Sequence, residues 1–344
     1  MVETHGGRLR VSAEVGGTPL WFEWDGDTPG DVAEALAGAV LMPAAASARR
    51  LALDDAVSEV WLGNISRLMQ IWRRWWDYPV LPPQAASHDE NRSRVPATAL
   101  CFTGGVDSFH SLLHGPRPPD VLAFVHGYDI RLDDRQRMTA WDTSFREVAE
   151  AVGAEAVLFR SNLREHPLSG SCSWERAHGG ALAAVGHLLA DRVGTLRIAS
   201  SWPRGNEHRW GSHWETDPLW SSDRLEVEHH GEAFSRLQKM KGIVGHELVQ
   251  RHLRVCWENL SASGNCSRCD KCLNTMTFVA AFGDPQSFTS FDWTRPLERR
   301  LDGLEQTRFL AGYTNVLTCD LDRKLARAVR ALLARSATAS GSRG

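Results

Sequence analysis

Two short strings hold the residues best suited to chemistry. The first is Phe102-Thr103-Gly104-Gly105-Val106-Asp107-Ser108-Phe109. Paired glycines let a backbone turn tightly and present successive N–H groups. The helical pattern that follows adds the positive end of its dipole, which completes an anion cradle. Thr103 and Ser108 can contribute hydroxyl donors. An aspartate is out of place if the only task is to hold an anion, but Asp107 makes sense if Mg2+ bridges its carboxylate to phosphate oxygens. The plainer alternative is a turn with Asp107 or Ser108 capping a helix. The whole string between a strand and a helix favours a nucleotide site, with Thr103, Gly104, Gly105, Val106, Asp107 and Ser108 as its binding residues and Asp107 and Ser108 as catalytic candidates. No G-K-[ST] follows, so it is not a Walker A loop, and the G-x-G-x-x-G spacing of dinucleotide folds is absent.

The second string runs Cys256-W-E-N-L-S-A-S-G-N-Cys266-S-R-Cys269-D-K-Cys272. Four thiolates at this density, three of them in C-x-x-C-x-x-C spacing, suit a closed tetrahedral Zn2+ site. An iron–sulfur cluster or redox thiols are the alternatives. Gly264 and Asn265 permit a tight approach, and Arg268 and Lys271 offset the charge of a tetrathiolate. Such a site is a staple rather than a catalyst.

These strings need elements to hold them. Short apolar runs at 98–102, 121–125, 156–159 and 196–199 alternate with helical stretches at 137–152 and 174–191, which predicts an α/β fold with a parallel sheet and helices on both faces. Before it, residues 8–25 alternate like a hairpin with Gly16-Gly17 at the turn, and 31–41 and 55–77 read as helices. The polar stretch 82–96 reads as a linker. The expected division is an N-terminal α+β region with linker (1–95), a nucleotide-binding domain (96–250), a zinc-binding helical segment (251–335) and a disordered tail (336–344). The N-terminal region is expected to be an added domain or a dimer element, and a homodimer is expected. A net charge of −3 counts against a nucleic-acid partner. With no apolar stretch of membrane-spanning length and no signal-peptide core, a cytoplasmic protein is expected.

Strand ends in such a sheet line the ligand crevice. Asp129, after the second run, is a candidate for ribose or substrate. Arg164, after the third, offers a planar fork to phosphate or carboxylate, and a surface salt bridge is nearly as good a reading. The long loop after the fourth run supplies substrate candidates Ser201, Ser212, His213 and Asp217. A hydrolase trio of Ser, His and Asp lacks its nucleophile elbow. Arg236, Lys239 and Lys241 share a helical stretch, and a cation there would stabilise charge on the phosphates of a bound nucleotide. Lys239 and Lys241 are the catalytic candidates, against a solvated helix face. The I-W-R-R-W-W run at 71–76 reads as a buried helix side or an interface in preference to a base-stacking strip.

The T-G-G-V-D-S string resembles the S-G-G-x-D-S signature of the PP-loop ATP pyrophosphatases, with Thr103 for the first serine. The cysteine string resembles the zinc segment of 7-cyano-7-deazaguanine synthases, with Leu253 to Trp257 in place of T-W-S-C-Y. Lys241-Gly242-Ile243-Val244 resembles that family's K-a-E-I-v segment, and Lys239 offers another alignment. The resemblance spans roughly residues 97–280. It implies a Rossmann-like fold of the adenine nucleotide alpha hydrolase type and cleavage of ATP between its α and β phosphates. A carboxylate or another carbonyl-type oxygen of a small molecule, 7-deazaguanine-like in the nearest relatives, is adenylated. An amine or ammonia donor then takes the adenylate, giving an amide or nitrile; a conjugating relative would use a peptide or protein acceptor. The rivals are a tRNA-modifying PP-loop enzyme (thiolation or lysidine-type ligation) and a non-catalytic nucleotide-binding scaffold.

Overall fold

The structure, a computed structural model, describes residues 1–89, 93–206, 208–261 and 264–341. The chain divides into two compact units. The first comprises residues 1–102, 114–134 and 149–233; the second comprises 103–113, 135–148 and 234–344.

The first unit is built on an eight-stranded sheet. In chain order its strands are β1 (Val2–His5), β2 (Arg8–Val15) and β3 (Thr18–Trp24), then, after a separate two-stranded pair β4 (Val57–Ser58) and β5 (Ser87–His88), β6 (Thr98–Cys101), β7 (Val121–His126), β8 (Glu155–Ser161), β9 (Thr195–Ala199) and β10 (Glu226–His230). They lie in the order β1-β2-β3-β8-β7-β6-β9-β10. The five from β8 to β10 are parallel, and β1 to β3 continue the sheet antiparallel. Every residue of β6 and β7 is buried, as expected of central parallel strands covered on both faces. The order reverses between β6 and β9, so the topological switch point falls at the strand that leads into the glycine turn.

The N-terminal region is therefore not set apart from the sheet. β3 pairs with β8 through Phe22↔Ser161 and Glu23↔Arg160. Ser161 Oγ donates to the Trp21 carbonyl at 2.9 Å, and the Trp21 N–H donates to Asn162 Oδ1 at 2.9 Å. Its helices α1 (Val32–Ala46) and α2 (Glu59–Trp76) pack into the same core. Within the expected linker, β5 pairs with β4 and Gln84 bridges Ala52, while residues 90–92 lie outside the described residues. β10 was not foreseen: its polar string E-V-E-H-H lacks an apolar run because it is an edge strand.

The other helices of the chain are α3 (Val106–His114), α4 (Arg135–Val152), α5 (Trp174–Leu188), α6 (Arg236–Ile243), α7 (Glu247–His252), α8 (Asp270–Phe282), α9 (Leu297–Asp302), α10 (Leu310–Val316) and α11 (Arg323–Gly341). α11 runs through residues 336–341, where a disordered tail was expected; 342–344 lie outside the described residues. Ser336 explains the continuation: it is buried, donates to the Leu332 carbonyl at 2.9 Å and accepts the Thr307 N–H at 3.0 Å. No helix among the described residues is long and apolar enough to cross a membrane.

Candidate functional site

The second unit contains Thr103 to Phe109 of the glycine string and all of the cysteine string. Gly104 has φ +72°, a left-handed conformation that favours glycine, and a Cβ there would run into the Trp141 ring. A Cβ built on Gly105 would stand 3.4 Å from Thr103 Oγ1, 3.9 Å from the Arg254 carbonyl and 4.0 Å from Ser108 Oγ, so the two hydroxyls lie close together beside the turn. Ser108 Oγ donates to the Gly105 carbonyl at 3.1 Å, within the first turn of α3.

Asp107 stands at the start of that helix with its side chain 15% exposed. Arg236 Nη1 lies 2.6 Å from its Oδ2 and Lys239 Nζ 3.4 Å from its Oδ1. Burial acts to raise the Asp107 pKa, but the charges of Arg236, Lys239 and Lys271 outweigh it and hold the carboxyl below its ordinary value. Helix phase explains which cations arrive. Arg236 and Lys239 are three residues apart and share a face of α6, which a Ser235–Gln238 capping box starts. Lys241 lies about 160° around the helix from Lys239. It is exposed, with Nζ 5.8 Å from the Phe282 ring centroid. Of the two candidate lysines, Lys239 meets Asp107; Arg236 joins it, though its type and spacing alone do not single it out.

The four cysteines form a second centre. Their sulfurs all lie within 4.8 Å of one another, with Cys256···Cys269 and Cys266···Cys272 both 3.9 Å. A zinc tetrahedron with bonds of about 2.3 Å sets its sulfurs about 3.8 Å apart. The spacing therefore suits a metal ion such as zinc and is far too long for a disulfide. The backbone builds the site locally. Cys269 N–H donates to Cys266 Sγ at 3.3 Å, and Asn265 Oδ1 accepts the N–H groups of Val255 and Cys256 at 2.8 and 3.2 Å. Asn265 thereby clamps the two halves of the motif. Lys271 Nζ lies 4.4 Å from the Trp257 ring centroid, and Arg268 donates to the Leu260 carbonyl at 3.0 Å.

Asp129, Arg164, Ser201, Ser212, His213 and Asp217 belong to the first unit. Arg164 donates to the Tyr128 carbonyl at 2.8 Å, and its guanidinium lies 4.9 Å from the Trp174 ring centroid. Asp129 is half-buried and Ser201 exposed. Asp217, fully buried, accepts Ser212 Oγ at 2.6 Å, the His213 N–H at 3.2 Å and His229 Nδ1 at 2.7 Å. Ser212 and His229 bond the same carboxylate oxygen, so the serine hydroxyl donates to Asp217 and not to a histidine. This is a lock between a loop and β10, unlike a nucleophile relay. The His213 ring instead packs edge-on against Trp75, 4.9 Å away. Trp72 of the tryptophan run is buried, Trp75 and Trp76 are half-buried, and Arg73 and Arg74 are exposed, which suits the side of a packed helix.

No protein-family model, curated protein or solved structure matches the chain.

Proposed function

We propose that this protein is a PP-loop-type, ATP-dependent synthetase that forms AMP and pyrophosphate, on a Rossmann-like sheet. The observation that carries the reading is the grouping around the turn. Hydroxyls of Thr103 and Ser108 lie close together beside Gly105, and Asp107 starts the next helix flanked by Arg236 and Lys239.

In this reading the backbone of Thr103 to Val106 cradles the phosphates. Asp107, with its pKa held low, stays anionic at neutral pH and would hold Mg2+, which when bound neutralises charge on the triphosphate. Arg236 and Lys239 face the charge that develops on the leaving pyrophosphate. A substrate carboxylate attacks the α phosphate; the resulting acyl adenylate passes to an amine, to ammonia or to a peptide or protein acceptor, and AMP leaves. Asp129, Arg164, Ser201, Ser212, His213 and Asp217 remain candidates for the substrate side, Ser212 and Asp217 by shaping the loop. Cys256, Cys266, Cys269 and Cys272 would hold zinc, which supplies structure and no open coordination position.

Sulfur transfer finds less support. Burial pushes the thiols of Cys101 and Cys172 up to about 12 and about 11, the reverse of an activated thiolate.

The test is incubation with ATP, Mg2+ and a panel of small carboxylic acids, read as pyrophosphate release and as the mass of an adenylate. Acid-dependent pyrophosphate release that Asp107→Asn abolishes supports the proposal. Turnover that survives Asp107→Asn, or ADP as the product, overturns it.

A further inference from the structure

Both carboxylate oxygens of Asp107 carry a cation, and the two cations are held differently. Lys239 Nζ stands 3.4 Å from Oδ1 on a side chain that is 1% exposed. Arg236 Nη1 stands 2.6 Å from Oδ2 on a side chain that is 19% exposed. Arg236 is the first residue of α6, directly after the Ser235 cap, so its side chain leaves the helix at an end and not from a packed middle. It meets Asp107 through Nη1, and its Nε is buried with no hydrogen-bond partner among the described residues. A buried N–H without an acceptor is unfavourable, and an oxyanion brought beside it relieves that cost. Lys271 adds a third positive charge to the field at Asp107.

We propose that Arg236 is a displaceable plug on the Asp107 carboxylate: it passes from Asp107 to a phosphate of the arriving nucleotide and thereby frees Asp107 Oδ2 for a divalent ion. The inference rests on the synthetase reading for the identity of the nucleotide as ATP. A hard divalent ion takes a carboxylate oxygen at about 2.1 Å. Oδ2 already accepts from the Arg236 guanidinium, and two cations on one oxygen repel each other. Lys239 is enclosed and has no way out, so Arg236 is the side chain that gives way. A phosphate offers its planar fork several oxygens, which replace the bond to Asp107 and supply the acceptor that Nε lacks. Once Arg236 has turned to the phosphate, Asp107 keeps only Lys239 and regains its affinity for a cation. Nucleotide and divalent ion therefore bind with positive coupling, and the ion alone binds weakly.

Two binding measurements on the full chain test the exchange: Mn2+ alone, read as loss of the free-ion electron paramagnetic resonance signal, and ATP in the presence of EDTA, read by calorimetry. Arg236→Gln is expected to bind Mn2+ at least about tenfold more tightly than the parent, because a unit charge beside Asp107 is gone. The same variant is expected to bind metal-free ATP at least about tenfold more weakly, because the fork is gone. Damage to the fold would weaken both, so the opposite signs separate the exchange from a structural role. Arg236→Lys should fall between the parent and Arg236→Gln on both measurements, and adding Asp107→Asn to Arg236→Gln should abolish the gained Mn2+ binding. Mn2+ affinity that Arg236→Gln leaves unchanged or weakens, or metal-free ATP affinity that it leaves unchanged, overturns the inference; a parent that still releases pyrophosphate from ATP then leaves the synthetase reading standing. The two opposite shifts in a protein that never releases pyrophosphate support the inference and overturn the synthetase reading.

Discussion

The backbone N–H of Arg254 donates to the carbonyl of Gly104 at 2.8 Å, and two residues later the chain enters the cysteine cluster at Cys256. The thiol centre thus anchors the strap that holds the glycine turn. Metal analysis of the purified protein is expected to give one zinc per chain, from the one four-cysteine cluster among the described residues. Cys269→Ser is expected to lose that metal. Chelation should lower the melting temperature and, in the synthetase reading, weaken ATP binding.

Gly104→Ala has two faults: a left-handed backbone and a Cβ aimed at Trp141. The first costs about 1–2 kcal/mol and persists whatever the neighbour. Trp141→Ala removes only the second. Denaturant unfolding of the two single variants and the double variant should therefore be non-additive, with the double variant more stable than the sum of the singles implies.

Lys239 is 1% exposed and paired with Asp107, whereas Lys241 is exposed. Lys239→Met is expected to cost turnover at least about tenfold more than Lys241→Met, measured as pyrophosphate release. Asp107→Ala should destabilise the chain by about 3–5 kcal/mol, because it removes the carboxylate beside a buried ammonium, and Asp107→Ala with Lys239→Met should recover part of that loss.

Asp217 accepts three hydrogen bonds in a fully buried position. Asp217→Ala is expected to destabilise by about 3 kcal/mol, since Ser212 and His229 lose a charged acceptor they cannot replace with water. Limited proteolysis should then cut the loop between Ser201 and Ser222 far faster than in the parent.

His187 and His178 predict a pH dependence. Burial lowers both pKa values from 6.5, with Glu34 partly opposing it at His187 and the Trp174 carbonyl at His178. A depressed histidine binds its proton more weakly in the folded state. Stability is therefore complete above about pH 6.5 and falls as the pH drops below it, by at most about 1.4 kcal/mol per pH unit for each group. Urea unfolding at a series of pH values from 7.5 to 5 should show this slope, and His187→Gln, which can still donate to the Trp220 carbonyl, should make it shallower.

What the sequence disclosed was local. Thr103 to Ser108 and the four cysteines are each confined to a short string, so their types and spacing carry their meaning. Choices set by helix phase or long-range pairing were not legible. Lys239 and Lys241 look alike until α6 has a phase relative to Asp107. The Asp217 partners include His229, which lies on a strand too polar to betray itself. Arg137, Trp141 and Arg254 meet around one cavity from segments about 115 residues apart, and nothing near any of them marks it.

The pairing of Phe22 with Ser161 has a consequence for synthesis. The opening hairpin leaves the ribosome long before β8 exists, and the hydrogen bonds that seat it link residues 140 or 141 positions apart. At about 5–20 residues per second it waits on the order of 10 s for its partner strand. During that interval the outer edge of β3, with Trp21 on one face and Phe22 and Trp24 on the other, is unpaired, the segment on which a chaperone or a neighbouring nascent chain would act first.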